Sequence, residues 1–301
     1  MIDGEKNKEI DRKLITGRTG LTGLLGSPVE HSVSPLMHNE AFRQLGLDYV
    51  YLCFDVKEEG LKTAVEGLKM AGIRGFNLTM PDKNKMVELV DWLSPAAELI
   101  GAVNTVLHED GILKGYNTDG IGFMRSVQDA GYDIIGQEMT LMGAGGAAAA
   151  ICVQAALDGV KRLNLFIRSG SRFYQRTEEL ARRLSESTSC EVVLYDQGDQ
   201  QGLRRCLERS AILVNGTSVG MAPDVDASII ENPSLFVPGL IVGDLVYDPR
   251  ESKLLRMARE AGCKTFNGMY MLLYQGAEAF RIWTGHDMPV DIVKAKYFSE
   301  S

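Results

Sequence analysis

Met139-Thr140-Leu141-Met142-Gly143-Ala144-Gly145-Gly146-Ala147-Ala148 is the stretch that decides the fold. Its first four residues read as a buried strand. Gly143, Gly145 and Ala148 then fill the three slots of G-x-G-x-x-A. The first glycine allows a tight turn, the second lets the backbone approach a pyrophosphate, and the small third residue lets helix and strand pack closely. The helix that opens there offers free N–H groups and the positive end of its dipole to phosphate. Alone the pattern is weak, since a flexible turn of small residues would also satisfy it. Here it follows a strand and opens an Ala-rich helix, the context the motif requires. Gly143, Ala144, Gly145, Gly146 and Ala147 are therefore the candidate dinucleotide-binding residues.

Downstream, the same strand–helix rhythm continues. Strands are expected at Leu163–Ile167, Glu191–Tyr195, Ala211–Asn215, Leu240–Leu245 and around Thr265. Helices are expected near Thr177–Glu186 and at Gln201–Glu208, with a helical tail from Met269. Repeated βαβ units predict a Rossmann-type, doubly wound dinucleotide-binding domain over residues 121–269. An acid about 20 residues past the glycines would hold a ribose 2′-hydroxyl. That stretch, Ile167-Arg168-Ser169-Gly170-Ser171-Arg172, has no acid but two arginines and two hydroxyls. Arg168, Ser169 and Arg172 thus favour NADP slightly over NAD, the alternative being two solvated arginines in a loop.

Upstream lies a second α/β unit. Leu24-Leu25-Gly26 reads as a strand end, Tyr49–Val56 and Arg74–Leu78 as strands, and Glu58–Met70 as a helix ended by Gly72. Pro35–Leu45 reads as a helix with Ser34 as its cap and Pro35 at its first position. Ala102–His108 and Ile112–Tyr116 flank the turn Glu109-Asp110-Gly111. The fold class predicted is α/β, with two domains. An N-terminal α/β substrate domain spans residues 1–120, completed by C-terminal helices over 270–301, and the Rossmann domain lies between.

A 301-residue chain suits two domains at roughly 150 residues each. The net charge of −8 makes nucleic acid a poor partner, because phosphate backbones need a basic face. No apolar run approaches the ~18–20 residues of a membrane span. Five dispersed cysteines without CxxC spacing suggest reduced thiols and a cytoplasmic setting. The opening MIDGEKNKEIDRK is too charged for a signal peptide, and its first dozen residues are expected to be a frayed extension. The four histidines show no ligand spacing, so no metal is expected.

Three polar segments in the first unit could carry chemistry. His31-Ser32-Val33-Ser34-Pro35 places two hydroxyls at a loop-to-helix junction, where they can hold a carboxylate; the plainer reading of Ser34 is a helix cap. Asn77-Leu78-Thr79-Met80-Pro81-Asp82-Lys83 ends a strand in polar residues, and ligands of α/β sheets sit at strand carboxyl ends. A lysine acts as an acid–base group where partial burial lowers its pKa; a lone one is more often a surface residue at a turn. Gly115-Tyr116-Asn117-Thr118-Asp119-Gly120, preceded by Gly101-Ala102-Val103-Asn104-Thr105, puts Asp119 after a strand, where an N-cap aspartate is also common. Spacing alone does not bring Lys83 to Asp119.

Taken in order, SVSP, NLTMPDK, GAVNT, GYNTDG, GAGGAA, NGTSVGM, DLVYDP and GMYMLLYQGAEAF resemble the shikimate dehydrogenase family. The style of LLYQGAEAFRIWTG looks closest to its quinate/shikimate branch. The resemblance runs from about Gly23 to about Trp283. It implies an active site between two domains, with Lys83 and Asp119 as the acid–base pair. Ser32 and Ser34 would take the substrate carboxylate, and Asn77, Thr79, Asn104, Tyr247 and Gln275 the ring hydroxyls. Thr217 and Gly268 would join the glycine loop, Arg168 and Ser169 at the cofactor. The implied chemistry is reversible reduction of a ring ketone, 3-dehydroshikimate to shikimate, within aromatic amino acid biosynthesis. Quinate catabolism with NAD is the alternative, and a homodimer is one option for assembly.

Two further readings compete. A different dehydrogenase could use this architecture, although the serine pair and NLTMPDK argue against a folate enzyme. A metabolite-sensing regulator could keep the fold, although such proteins tend to lose the acid–base pair.

Overall fold

Each apolar run expected upstream of residue 120 becomes a strand of one sheet. The computed structural model describes residues 15–298; the extension expected to fray lies outside the described residues. In chain order come β1 (Gly20–Gly26), α1 (Ser34–Leu45), β2 (Tyr49–Asp55), α2 (Leu61–Met70), β3 (Gly75–Leu78), β4 (Trp92–Leu93), α3 (Pro95–Ile100), β5 (Thr105–Glu109) and β6 (Ile112–Tyr116). The strand order is β2-β1-β3-β5-β6-β4. β1 runs parallel to both β2 and β3, while β5 is antiparallel to β3 and β6. The β5–β6 hairpin turns on Asp110 and Gly111, at φ 51° and 77°.

The second sheet follows the linking helix α4 (Asp119–Asp129). Its elements are β7 (Glu138–Met142), α5 (Gly146–Asp158), β8 (Arg162–Ile167), α6 (Tyr174–Ser187), β9 (Glu191–Asp196), α7 (Gln200–Leu207), β10 (Ile212–Asn215), β11 (Ile241–Asp244), α8 (Lys253–Glu260) and β12 (Lys264–Asn267). The order β12-β11-β10-β7-β8-β9 is parallel throughout. Renumbered from β7, it is the 3-2-1-4-5-6 order of a dinucleotide-binding sheet. Two helices, α9 (Met269–Thr284) and α10 (Val290–Tyr297), then return to the first sheet. Leu273, Phe280, Trp283 and Val293 join Met37, Phe42 and Tyr51 in one apolar core.

The boundary expected after residue 120 falls inside α4, which belongs to both units. A Cβ on Gly120 would lie 2.3 Å from the Ala150 carbonyl oxygen of α5, and one on Gly122 would lie 2.6 Å from the Met271 carbonyl oxygen of α9. Side chains there would force the helices apart, so α4 clasps the glycine-loop helix on one side and the returning helix on the other.

Some local expectations need correction. Ser34 is not the cap of α1: Val33 holds that position, no side chain caps the helix, and the Ser34 N–H instead donates to Ser32 Oγ at 3.2 Å. β5 starts at Thr105 rather than Ala102, because the Val103 N–H is taken by the Lys83 carbonyl in the loop after β3 instead of by a neighbouring strand. β4, α3 and α8 were not anticipated as separate elements, whereas the helical pattern expected to start at Asp119 is α4.

α10 is tied down by a buried acid. Glu40 accepts from Gln44 Nε2 at 2.7 Å and Lys296 Nζ at 2.8 Å, beside Arg43. The Arg43 hydrogen bond above all, helped by Lys296 and Gln44, holds its pKa at about 2, below the ordinary 4.5, against the upward push of burial. A carboxyl with a depressed folded pKa stabilises above its unfolded value and loses that contribution as pH falls through the folded one. Glu40 therefore supplies up to about 3 kcal/mol at neutral pH. Urea midpoints measured from pH 5 down to 2 are expected to fall less steeply in Glu40→Gln than in the parent; parallel profiles would contradict this.

Candidate active site

Backbone hydrogen bonds draw the second and third polar segments together. The Leu78 N–H donates to the Asn104 carbonyl at 2.8 Å, the Val103 N–H to the Lys83 carbonyl at 2.8 Å, and the Asn104 N–H to the Tyr116 carbonyl at 3.0 Å. The loop after β3, the lead into β5 and the end of β6 are thus laced side by side. Lys83, 36 residues from Asp119, places Nζ 2.6 Å from Asp119 Oδ2. Asp119 opens α4, with Thr118 rather than Asp119 at the cap position and no side-chain cap bond. Its carboxylate is free for Lys83 on one oxygen and Asn104 Nδ2, at 2.7 Å, on the other.

A chain of buried amides and hydroxyls stands behind this pair. Asn104 Oδ1 accepts from the Thr118 N–H at 2.8 Å, and its Nδ2 also donates to Thr118 Oγ1 at 3.0 Å. Asn77 donates to Thr105 Oγ1 at 3.0 Å and accepts from the Tyr51 hydroxyl at 2.9 Å. Buried polar groups joined in this way stay in one orientation, because any rotation strands a donor or acceptor. Asn104 and Asn77 are largely committed within the protein, so they fix the site's shape as much as they face it. Sequence reading missed Tyr51 and Thr118; the hydroxyl periodicity of YVYLCFDV and GYNTDG was the available signal.

A cleft of about 600 Å³ opens over this base. Ser32, Ser34, Asn77, Thr79, Lys83, Asp119, Tyr247 and Gln275 line it, and Ala147, Leu245 and Gly268 close it from the second unit. All the substrate-side candidates except Asn104 thus reach one cavity, and Asn104 reaches it through Asp119 and, at 3.5 Å, Gln275 Oε1. Nearly half of the Tyr247 surface remains exposed.

The glycine loop forms the other wall. Gly143 has φ 113°, a conformation L side chains rarely adopt, and a Cβ there would lie 2.8 Å from Thr217 Cγ2. Gly145 and Gly146 have open space where a Cβ would stand. No side chain caps α5, so its first N–H groups face outward without an intrahelical partner. Thr217 is held by Asn215, whose Oδ1 accepts from its N–H at 3.0 Å and its hydroxyl at 2.7 Å. These features fit a dinucleotide pyrophosphate. Gly268 stands at the N-cap position of α9 with no room for a side chain, since a Cβ there would lie 2.3 Å from the Leu245 carbonyl oxygen.

Beyond the loop, Arg168, Gly170, Ser171, Arg172 and Phe173 line a second cavity of about 660 Å³. Arg172 stacks its guanidinium 4.7 Å above the Phe173 ring. Ser169 is engaged elsewhere: its N–H, at 3.0 Å, and its hydroxyl both donate to Asp196 at the end of β9. The stretch Ile167–Arg172 has no acid of its own, and the one that stands against it arrives from the neighbouring strand. Among the described residues no group of three His, Cys, Asp or Glu side chains is placed to hold a metal, and no helix is long and apolar enough to cross a membrane.

The strand order and glycine-rich first turn are those of a dinucleotide-binding sheet, and the cleft beside it is lined by a lysine–aspartate pair, an arrangement that suits an NAD(P)-dependent oxidoreductase. Residues 24–106 match the shikimate dehydrogenase substrate binding domain, and residues 268–296 the shikimate 5′-dehydrogenase C-terminal domain. The chain is 49% identical to a shikimate dehydrogenase (NADP(+)) of Listeria innocua, over 97% of this chain and 99% of that protein. It is 45% identical to a quinate/shikimate dehydrogenase of Escherichia coli, over 93% and 97%. A crystal structure of shikimate 5-dehydrogenase from Listeria monocytogenes, in complex with shikimate and NAD, superimposes with a TM-score of 0.90 at 49% identity, over 93% and 97% of the two chains. The chain belongs to the shikimate dehydrogenase family.

Proposed function

We propose that the chain is a shikimate dehydrogenase, reversibly reducing 3-dehydroshikimate to shikimate with NAD(P)H, in the cytoplasm and in aromatic amino acid biosynthesis. The observation that carries this reading is the 2.6 Å contact of Lys83 with Asp119 at the base of a cleft that also holds Ser32 and Ser34. When bound, the nicotinamide supplies or accepts the hydride. The protein's own residues manage the proton and the orientation. Lys83 Nζ gives a proton to the alkoxide oxygen as the ketone is reduced, and takes it back in the reverse direction. Asp119 fixes the Lys83 amine and accepts from a neighbouring ring hydroxyl. Ser32 and Ser34 donate to the substrate carboxylate, Gln275, Thr79 and Tyr247 hold the ring, and Asn104 orients Asp119. Residues 1–120 with 270–301 would hold the substrate, and 121–269 the dinucleotide through the Gly143–Ala147 loop, Arg168, Arg172, Thr217 and Gly268.

The resemblance to the quinate/shikimate enzyme supports quinate as a second substrate. Initial rates of nicotinamide absorbance change, with shikimate and quinate each crossed against NADP and NAD, test both. Oxidation of shikimate is the expected result; no rate in any of the four mixtures would sink the reading. A narrower test concerns Asn104. Asn104→Ala removes a charge-assisted hydrogen bond worth about 1.5–3 kcal/mol, so kcat/KM for shikimate is expected to fall roughly 10- to 100-fold. Cofactor affinity, measured by calorimetry, is expected to hold. An unchanged kcat/KM would mean that Asp119 keeps its orientation without the amide.

A further inference from the structure

We infer that Asp196 is a specificity residue for the adenosine end of the cofactor, favouring NAD by accepting from an unphosphorylated ribose and opposing the 2′-phosphate of NADP. The inference rests on the dinucleotide reading above and adds a residue to it. In this fold the residue that tells the two cofactors apart stands at the loop after the second strand of the sheet, here β8. That loop, Arg168 to Arg172, contains no acid of its own. The structure supplies one from the side. β9 pairs with β8 so that Asp196 stands opposite Ile167, the last residue before the loop. From there the carboxylate reaches across a single strand spacing to Ser169, taking its N–H at 3.0 Å and its hydroxyl on Oδ2. Oδ1 takes the Gly198 N–H at 2.7 Å.

Two features make this more than a loop brace. Asp196 is exposed, and among the described residues it forms no ion pair that would cancel its charge. The Ser169 hydroxyl, then the Gly198 and Ser169 N–H groups, hold its carboxyl below the usual carboxylate range, so it is ionised at neutral pH. The residues either side of Ser169, Arg168 and Gly170, line the second cavity together with Arg172. The loop therefore presents two cations that attract a phosphate, and Asp196 beside it supplies one anion that repels it. Ribose hydroxyls can donate to a carboxylate, whereas a phosphate dianion cannot. The sequence alone shows only the cations, which is why it leans towards NADP.

The test is Asp196→Asn, assayed with shikimate and saturating or limiting NADP and NAD. Removing one charge beside a dianion in a water-exposed site is expected to raise the NADP-to-NAD ratio of kcat/KM about tenfold. The change is expected to shrink as salt rises from about 0.05 to 0.5 M, which a purely structural brace would not show. Asp196→Ser serves as a second neutral variant should the amide distort the turn. A ratio unchanged in both variants, or an equal loss with both cofactors, overturns the inference. Calorimetric affinities for the two cofactors, taken without shikimate, read the same ratio even if neither shikimate nor quinate is turned over. Failure of the substrate reading and failure of the Asp196 reading are thereby separated.

Discussion

Lys83→Ala is expected to lower kcat for shikimate oxidation by about 10²–10⁴-fold, the usual contribution of a positioned acid–base group. The reason is geometric. Lys83 Nζ is the cationic group bonded to Asp119 at the base of the cleft, and it stays about one-third exposed at its side chain, so it can exchange protons with water. Without it, an alkoxide formed in the cleft must draw its proton from solvent. The dinucleotide loop lies on the other unit and does not touch Lys83, so calorimetric affinity for the cofactor is expected to change by less than about twofold. Asp119→Asn provides the companion measurement. The amide keeps the shape and one acceptor for Lys83, but it sets its NH2 against the Asn104 amide donor and removes the negative charge that holds the amine, so it too should lose kcat, by a smaller factor. The two losses are expected to be non-additive in the double variant, because paired groups act as a unit. If Lys83→Ala retains near parental turnover, the proton is delivered by another group and the assignment fails.

How much of this was legible beforehand varies by feature, and the difference is physical. The glycine loop was legible because each of its slots answers to a local steric demand, and the structure repeats those demands at Gly143 and in the open space above Gly145 and Gly146. The β5–β6 hairpin was legible for the same reason, its turn being Asp110-Gly111 with positive φ at both residues. The Lys83–Asp119 pair was not legible from spacing. It depends on two backbone crossings, Val103 to Lys83 and Asn104 to Tyr116, that no one-dimensional pattern encodes. Only the resemblance of NLTMPDK and GYNTDG to a family singled the two residues out together.

Errors arose where a local rule met a tertiary competitor. Ser34 satisfied the preference for a serine before proline, yet Ser32 supplies the hydroxyl that receives its N–H, and both serines are left to face the cleft. Asp119 had the position of a cap, but Lys83 and Asn104 take its carboxylate. The short helix α3 could have been read: Ser94 caps it by accepting from the Ala97 N–H, Pro95 follows at its first turn and Gly101 ends it with φ 65°. Asp196 could not, because its partner Ser169 is 27 residues away, in the loop after the neighbouring strand β8. Sites in this molecule are made where neighbouring strands end side by side, and such proximity is a property of the sheet order rather than of the chain.

The returning helix α9 gives the second large effect. Trp283 is only 1% exposed, its ring stands 5.2 Å from His38 and 6.0 Å from Tyr51, and its Nε1 donates to the Val106 carbonyl at 2.9 Å. The sheet is shaped to receive it: a Cβ at Gly75 would come within 2.4 Å of the indole, so β3 carries glycine where the ring packs against it. The Trp283 carbonyl in turn accepts from Arg74 Nε at 2.9 Å. Trp283→Ala opens a cavity and leaves the indole's partner without its donor, a combined cost of roughly 3–5 kcal/mol. At about 2–4 °C per kcal/mol, a thermal midpoint some 10 °C lower is expected by calorimetry. Trp283→Phe fills most of the space while losing the hydrogen bond, and should recover more than half of that loss. The effect reaches the chemistry because α9 also carries Gln275 and follows directly on Gly268, both on the cleft. KM for shikimate should therefore rise in Trp283→Ala below its own midpoint, while Lys83 and Asp119, held by the β3, β5 and β6 ends, keep kcat near the parental value. A midpoint within about 2 °C of the parent would mean that α9 is anchored by Phe280 and its neighbours without the indole.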